Sequence, residues 1–171
     1  MKRILFVCHG NICRSPMAEY VMKDMVKKAG MDAVFEIASA ATSDEESGNG
    51  VYPPVKRLLE EAGIECRSHR ARQITTEDFR HYDLIVAMDR MNIRNIGRFL
   101  GMYGIEDMGR SRHIVSSGIQ GENIDRKVRL LLSYNGKDEE IADPWYTRDF
   151  KLTWEQINEG CRALLEWCAK N

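Results

Sequence analysis

The stretch Ile4-Leu5-Phe6-Val7-Cys8-His9-Gly10-Asn11-Ile12-Cys13-Arg14-Ser15-Pro16 constrains this chain more than any other. Its first four residues are apolar and partly β-branched, the pattern of a short buried strand. Gly10-Asn11 breaks that strand, because both residues tolerate a left-handed backbone. Ser15-Pro16 predicts a helix start, with Ser15 as N-cap and Pro16 at the first helical position. Cys8 is therefore expected at the end of a strand and Arg14 at the mouth of a helix. The backbone N–H groups of the loop between them can curl around an anion. Cys8-x5-Arg14 reads as a phosphate cradle.

Chemistry explains those residue types at that spacing. The positive end of a helix dipole suits a phosphate dianion and favours the thiolate form of a cysteine placed there. A planar guanidinium such as that of Arg14 can hold two phosphoryl oxygens and the charge of a transition state. A thiolate beneath the phosphorus can attack in line and form a phosphocysteine. A cysteine alone is more often a small buried hydrophobe. Cysteine, Gly-Asn turn, arginine and Ser-Pro in one strand–loop–helix setting are hard to assign to packing.

Length and charge narrow the remaining classes. With 171 residues, one domain spanning 1–171 is expected, large enough for a substantial core. A net charge of −1 gives no reason to expect nucleic acid or a membrane surface as partner. Met1-Lys2-Arg3 runs straight into the first strand, so neither a signal peptide nor a membrane span is read. The cysteines number five, an odd count, and are scattered rather than framed as a disulfide scaffold. A reducing compartment fits them, which makes the cytoplasm the expected address.

Along the chain, Ser15 to Lys28 has apolar residues at helical spacing, with Gly30 as a stop. Val34 to Ala41 reads as a second strand entering the polar loop Thr42 to Gly50. Pro53-Pro54 introduces a helix to about Ala62. Arg67 to Ile74 is basic and irregular, and Thr75 or Thr76 caps a short helical turn through Phe79. Leu84 to Met88 is apolar throughout, as a parallel strand covered on both faces should be. Asp89 to Leu100 suits a helix, and Val128 to Leu132 a fourth strand. Gly101 to Asn123 is rich in glycine and serine, with one apolar run at His113-Ile114-Val115. Ile141 to Tyr146 is expected as a loop, and a last helix begins near Thr153. Strand–helix alternation predicts an α/β fold, a parallel sheet with helices on both faces. Ligands of such sheets bind beyond the carboxyl ends of the strands, where Cys8 is expected.

Hydrolysis through a phosphocysteine needs a proton for the leaving oxygen and later a base for water, and one carboxyl group can serve both. Asp143 is the best candidate, restrained by Pro144 and followed by two aromatic residues, Trp145 and Tyr146.

Val7 to Pro16 together with Asp143-Pro144-Trp145-Tyr146 resembles the low-molecular-weight protein tyrosine phosphatases. His69-Arg70-Ala71-Arg72-Gln73-Ile74, Glu77-Asp78-Phe79, and Met88-Asp89 followed by Asn92 extend the likeness over most of the chain. The resemblance implies a three-layer, flavodoxin-like fold with a four-stranded parallel sheet. It also implies hydrolysis of phosphotyrosine in proteins or peptides, with no metal and no cofactor, and with inorganic phosphate as product or inhibitor. By the same match Cys8 would be the nucleophile, Arg14 the phosphate clamp and Asp143 the acid and then the base. His9, Gly10, Asn11, Ile12, Cys13, Arg14 and Ser15 would enclose the phosphate, while Ser39 and His69 would support the loop from behind. Ser15 can also donate to the thiolate as it leaves phosphorus.

The family's rim commonly carries an aromatic residue after the second strand, where this chain has Asp44-Glu45-Glu46. Glu45, Tyr52, Trp145 and Tyr146 are the expected rim. The segment from about Gly104 to Asn123 looks like extra sequence beside shorter members. At the position of Cys13 the family can form a disulfide with the nucleophile, so a redox role stands beside a packing one. Cys161 and Cys168 lie seven residues apart on one helix, roughly 10 Å at the helical rise, and are read as packing. His9, His81 and His113 have no ligand-like spacing, so no metal site is read.

Three other readings compete. Arsenate reductases share the loop but need a further thiol pair, and Cys66 has no close partner in sequence. Protein arginine phosphatases resemble the loop but place Thr where this chain has Ile12, which favours an aryl phosphate. A non-catalytic phosphopeptide-binding module would be expected to lack Cys8, Arg14 or Asp143.

Overall fold

The computed structural model describes residues 1–100 and 127–171. Strands β1 (Lys2–Cys8), β2 (Phe35–Ala41), β3 (Leu84–Ala87) and β4 (Val128–Leu130) form one sheet. Their order is β2-β1-β3-β4 and every pairing is parallel. The connecting helices are α1 (Arg14–Lys28), α2 (Pro53–Glu61), α3 (Thr76–His81), α4 (Arg90–Phe99), α5 (Pro144–Thr147) and α6 (Phe150–Lys170). The expected three-layer α/β architecture is present. The glycine-rich stretch, its His113-Ile114-Val115 run and the 104–123 segment lie outside the described residues.

The period of two along β1 builds the layers. Ile4, Phe6 and Cys8 join the cluster packed with Met17, Val21 and Met22 of α1 and Ile157, Cys161 and Leu164 of α6. Leu5 and Val7 point the other way, toward Phe79 of α3 and Ile96 of α4. Each such side chain, fully buried, contributes about 1.5–3 kcal/mol, so β1 is held from both faces. Cys161 is wholly buried and Cys168 nearly so, in keeping with a packing role. On α6, Gly160 is a point of close approach. A Cβ there would lie 2.5 Å from Cγ of Leu131, so only hydrogen fits.

Several boundaries differ from expectation, each for a local reason. α1 starts at Arg14, with Cys13 rather than Ser15 at the N-cap and no side-chain cap. Ser15 is committed elsewhere, its Oγ lying 3.0 Å from Sγ of Cys8. Pro16 is the third residue of α1, still in the first turn, where its missing N–H would have lacked a helical partner anyway. β4 ends at Leu130, and Leu131–Asn135 tighten into a 3-10 turn closed by Gly136 at φ 72. An apolar run this short does not separate strand from turn by periodicity. The expected loop at 141–146 contains α5, because Asp143 caps it by accepting the N–H of Trp145 at 3.0 Å. α6 starts at Phe150 rather than Thr153, with Asp149 accepting the N–H of Leu152 at 2.9 Å. α3 runs to His81 behind a full capping box of Thr75 and Asp78.

The basic segment 67–74 is irregular but not loose. Ala41 donates its N–H to the carbonyl of Arg72 at 2.7 Å, and Ile74 returns one to Ala41 at 2.8 Å. Beyond the strands, Thr42 and Ser43 donate to the carbonyls of Cys8 and His9. The loops after β1 and β2 are thereby tied together at the carboxyl edge of the sheet.

Candidate active site

Cys8 ends β1 and is 3 % exposed, its thiol facing the loop that leads to α1. Asn11 turns that loop at φ 58, in the left-handed region that a non-glycine residue enters at a cost of about 1–3 kcal/mol. Its own polar atoms hold it there. The Asn11 N–H donates to Sγ of Cys8 at 3.3 Å, and its carbonyl faces Nε2 of His69 at 2.7 Å. Oδ1 accepts the N–H of Arg72 at 3.1 Å, while Nδ2 donates to Ser15 at 2.9 Å and Ser39 at 2.8 Å. Asn11 is wholly buried, and every hydrogen-bonding group it has is engaged. Strain in the loop is thus over-determined by its surroundings.

Arg14, at the first position of α1, is also buried. Nη1 donates to Oδ2 of Asp89 at 2.6 Å and to the carbonyl of Ile141 at 3.2 Å. Nη2 donates to Oδ2 of Asp143 at 2.8 Å. Burial works against the cation, but the charges of Cys8, Asp143 and Asp89 outweigh it and raise its pKa above the ordinary arginine value. Cys13 is affected in the opposite sense. Burial, then the negative charge of Cys8, pushes its thiol up to about 12.

These groups meet at a cavity of about 580 Å³. Cys8, His9, Gly10, Ile12, Cys13 and Arg14 form one side of it, and Glu45, Asp143, Trp145 and Tyr146 also line it. The loop residues expected around a phosphate are therefore together, with a division of labour. Asn11 and Ser15 lie behind the cavity wall, in contact with Cys8, and Ser39 and His69 lie behind Asn11. Tyr52 is not among the lining residues. It sits against Trp145, ring centroids 5.5 Å apart, and stacks on Phe150. His9 turns its ring to Glu45, with Nε2 3.1 Å from Oε2 across the mouth.

Met91, Asn92 and Asn95 of α4 also line the cavity, as do Glu46 and Asp89. Met91 and Asn95 carry no sequence signal of a site. Asp89 was visible as part of the Met88-Asp89 and Asn92 match, but nothing local ties it to Arg14, 75 positions away.

A thiol at the end of a central strand, an arginine at the next helix start and a carboxylate across a cavity are the arrangement expected of a phosphatase that works through cysteine. The family model described as low molecular weight phosphotyrosine protein phosphatase matches residues 3–115. The pig protein of that name is 37 % identical over 168 residues, covering 96 % of this chain and 94 % of its own. Among solved structures, YfkJ from Bacillus subtilis aligns at TM-score 0.82 and 30 % identity, covering 99 % of this chain and 96 % of its own. A Drosophila protein described as an arginine phosphatase aligns at TM-score 0.77 and 30 % identity, covering 97 % and 96 %. The chain belongs to the low molecular weight phosphotyrosine protein phosphatase family.

Proposed function

We propose that the chain hydrolyses phosphotyrosine in proteins or peptides through a phosphocysteine on Cys8. The convergence of Cys8, Arg14 and Asp143 on one cavity, from three separate elements, carries this reading. The phosphoryl dianion sits in the loop of residues 8–15, with its equatorial oxygens on the loop and on the fork of Arg14. Cys8 attacks phosphorus in line as the P–O bond to the tyrosyl oxygen breaks. Asp143, protonated at that step, gives its proton to the departing phenolate. The Asp143 carboxylate then takes a proton from water, which attacks phosphorus and expels the Cys8 thiolate. Inorganic phosphate leaves. Ser15, 3.0 Å from Sγ, is placed to donate to the thiolate on its departure.

Met91, Trp145 and Tyr146 are exposed at the cavity and suit an aromatic ring better than an alkyl phosphate. Ile12 offers no hydroxyl to a guanidinium, which favours an aryl ester over phosphoarginine. Among the described residues no helix is long and apolar enough to cross a membrane. The described cysteines are all free, and a thiolate nucleophile is best preserved in a reducing compartment such as the cytoplasm.

The test is turnover of p-nitrophenyl phosphate with and without EDTA, set beside phosphotyrosine, phosphoserine and phosphoarginine peptides. Turnover confined to the aryl esters, unchanged by EDTA and lost in Cys8→Ser while vanadate still binds, is expected. Preferred release from phosphoarginine, or near-wild-type rates in Cys8→Ser, would overturn it.

A further inference from the structure

Among the described residues, only two side chains that line the cavity can carry positive charge, Arg14 and His9. Arg14 is bound by Asp89 and Asp143, so two carboxylates already match its charge. His9 follows the thiol directly and stands at the mouth, with its side chain 53 % exposed. The reaction above gives its ring no part. Yet the residue is held from two sides. Its carbonyl accepts the N–H of Ser43 at 3.1 Å and the Ser43 hydroxyl at 3.0 Å. Its ring meets Oε2 of Glu45 through Nε2 at 3.1 Å, while Nδ1 has no protein partner among the described residues.

We propose that the His9 ring is a second cationic contact for the phosphoryl dianion, binding a proton as the anion enters the loop. The inference rests on residues 8–15 being the phosphate loop. Histidine is the side chain whose charge changes most readily near neutrality, and a double negative charge beside it favours the imidazolium. A carboxylate only accepts, so Nε2 donates to Glu45 and Nδ1 of the neutral ring is an acceptor. Protonation turns Nδ1 into a donor at the mouth of an anion site. Arg14 cannot supply that charge alone, because a phosphoryl group must share its outer nitrogens with Asp89 and Asp143.

The charged groups around the mouth include Glu45 and Glu46 from the loop after β2, with Asp89 before α4 and Asp143 at the start of α5. Cys8, Cys13 and Arg14 face it from the loop of His9 itself, and Tyr146 from α5, while α4 presents neutral side chains. Glu46 lies across the residue next to His9: a Cβ on Gly10 would stand 3.3 Å from its Cγ. Arg148 does not join them, since it stacks over Trp145 at 5.4 Å from the ring centroid. A strut between two loops is the plainer account of the His9–Glu45 pair. Both side chains are more than half exposed, and such a pair adds little to stability. The two loops are also joined already, by the N–H groups of Thr42 and Ser43 on the carbonyls of Cys8 and His9. A strut would not answer to an anion.

The experiment follows the histidine ring C–H signals of the full chain by NMR from about pH 5 to about pH 9, with and without saturating sulfate at constant ionic strength. Sulfate stands in for the phosphoryl dianion and keeps its charge over that range. The chain has four histidines, and the His9 signal is the one lost in His9→Asn. Sulfate should raise the pH midpoint of that signal by about one unit. By linkage, sulfate should bind His9→Asn about tenfold more weakly than wild type at the acid end and equally at the alkaline end, read as inhibition of p-nitrophenyl phosphate turnover. Other groups that titrate in the site are common to both proteins and cancel in that ratio. A midpoint that sulfate leaves in place, or a ratio that does not change with pH, would overturn the proposal and leave the pair a strut. Sulfate that neither inhibits turnover nor moves any signal would strike the phosphate loop itself, and the proposal with it.

Discussion

Nη2 of Arg14 lies 2.8 Å from Oδ2 of Asp143, a residue 129 positions further along the chain. Nη1 of the same guanidinium is held 2.6 Å from Asp89. The residues proposed as phosphate clamp and as acid are thus joined to each other. A dianion bound in the loop would compete with that carboxylate for the same fork.

Arg14→Lys tests that fork. Lysine keeps the charge but cannot meet Asp89, Asp143 and two phosphoryl oxygens with fixed planar geometry. Phosphate inhibition should weaken and kcat should fall, with kcat/KM lower by at least about 10²-fold, comparable to loss of a transition-state donor. Steady-state kinetics with phosphate as inhibitor measure both; near-wild-type values would place the clamp elsewhere.

Asp143→Asn should cost most where the leaving oxygen is strongly basic. Positioned acid catalysis contributes about 10²–10⁴-fold, so the loss on phenyl phosphate should approach that range and exceed the loss on p-nitrophenyl phosphate. The comparison is kcat/KM for both esters from mildly acid to mildly alkaline pH. Equal losses with an unchanged pH profile would move the role to another carboxylate, Asp89 being the nearest to Arg14.

Oxidation of Cys8 by peroxide gives a sulfenic acid, which a neighbouring thiol can condense with, releasing water. Cys13 is in the same loop; burial and the charge of Cys8 push its thiol up to about 12, and burial still holds it up once oxidation has removed that charge. Below that value its thiolate fraction rises tenfold per pH unit. Disulfide closure should therefore be slow near neutrality and accelerate from pH 7 to 9, as followed by mass spectrometry after a peroxide pulse. Cys13→Ser should recover less activity with reductant, through over-oxidation of Cys8. Equal recovery in both proteins would reject a protective role.

Asp78 gives a stability test. Burial raises its pKa, but hydrogen bonds from Arg72 and Thr75 outweigh this and hold it below the usual carboxylate value. A carboxyl depressed on folding stabilises the native state above its unfolded value, and that contribution fades as pH falls through the folded one. Both Arg72 nitrogens reach it, at 2.7 and 3.0 Å, and it closes the capping box of α3. Asp78→Asn should cost about 1–2 kcal/mol at pH 7 by urea unfolding. The gap to wild type should narrow below about pH 4, near the ordinary aspartate value. A gap that does not change with pH would remove the ion pair as its source.

Sequence alone determined the frame and the candidate residues near its start. The apolar runs at Ile4 to Val7 and at Leu84 and the break at Gly10-Asn11 are local signals, because β-branching, left-handed tolerance and apolar character are properties of neighbouring residues. Cys8, Arg14 and Asp143 were legible for the same reason, two of them in one loop and the third beside its proline and aromatics. Tertiary structure decided everything that depends on what lies across from a side chain. Ser15 looks like a helix cap until the thiol of Cys8 stands 3.0 Å from it. Tyr52 looks like a rim residue until Trp145 is found in front of it. Glu19 looks like an ordinary helix glutamate, and Asp89 like a strand-end turn residue. Their partners, Ser39 and Arg14, reach them only when β1 carries α1 between β2 and the loop after β3. Hydrogen bonds and ion pairs act over about 3 Å, and that distance is set by the packed fold rather than by separation along the chain.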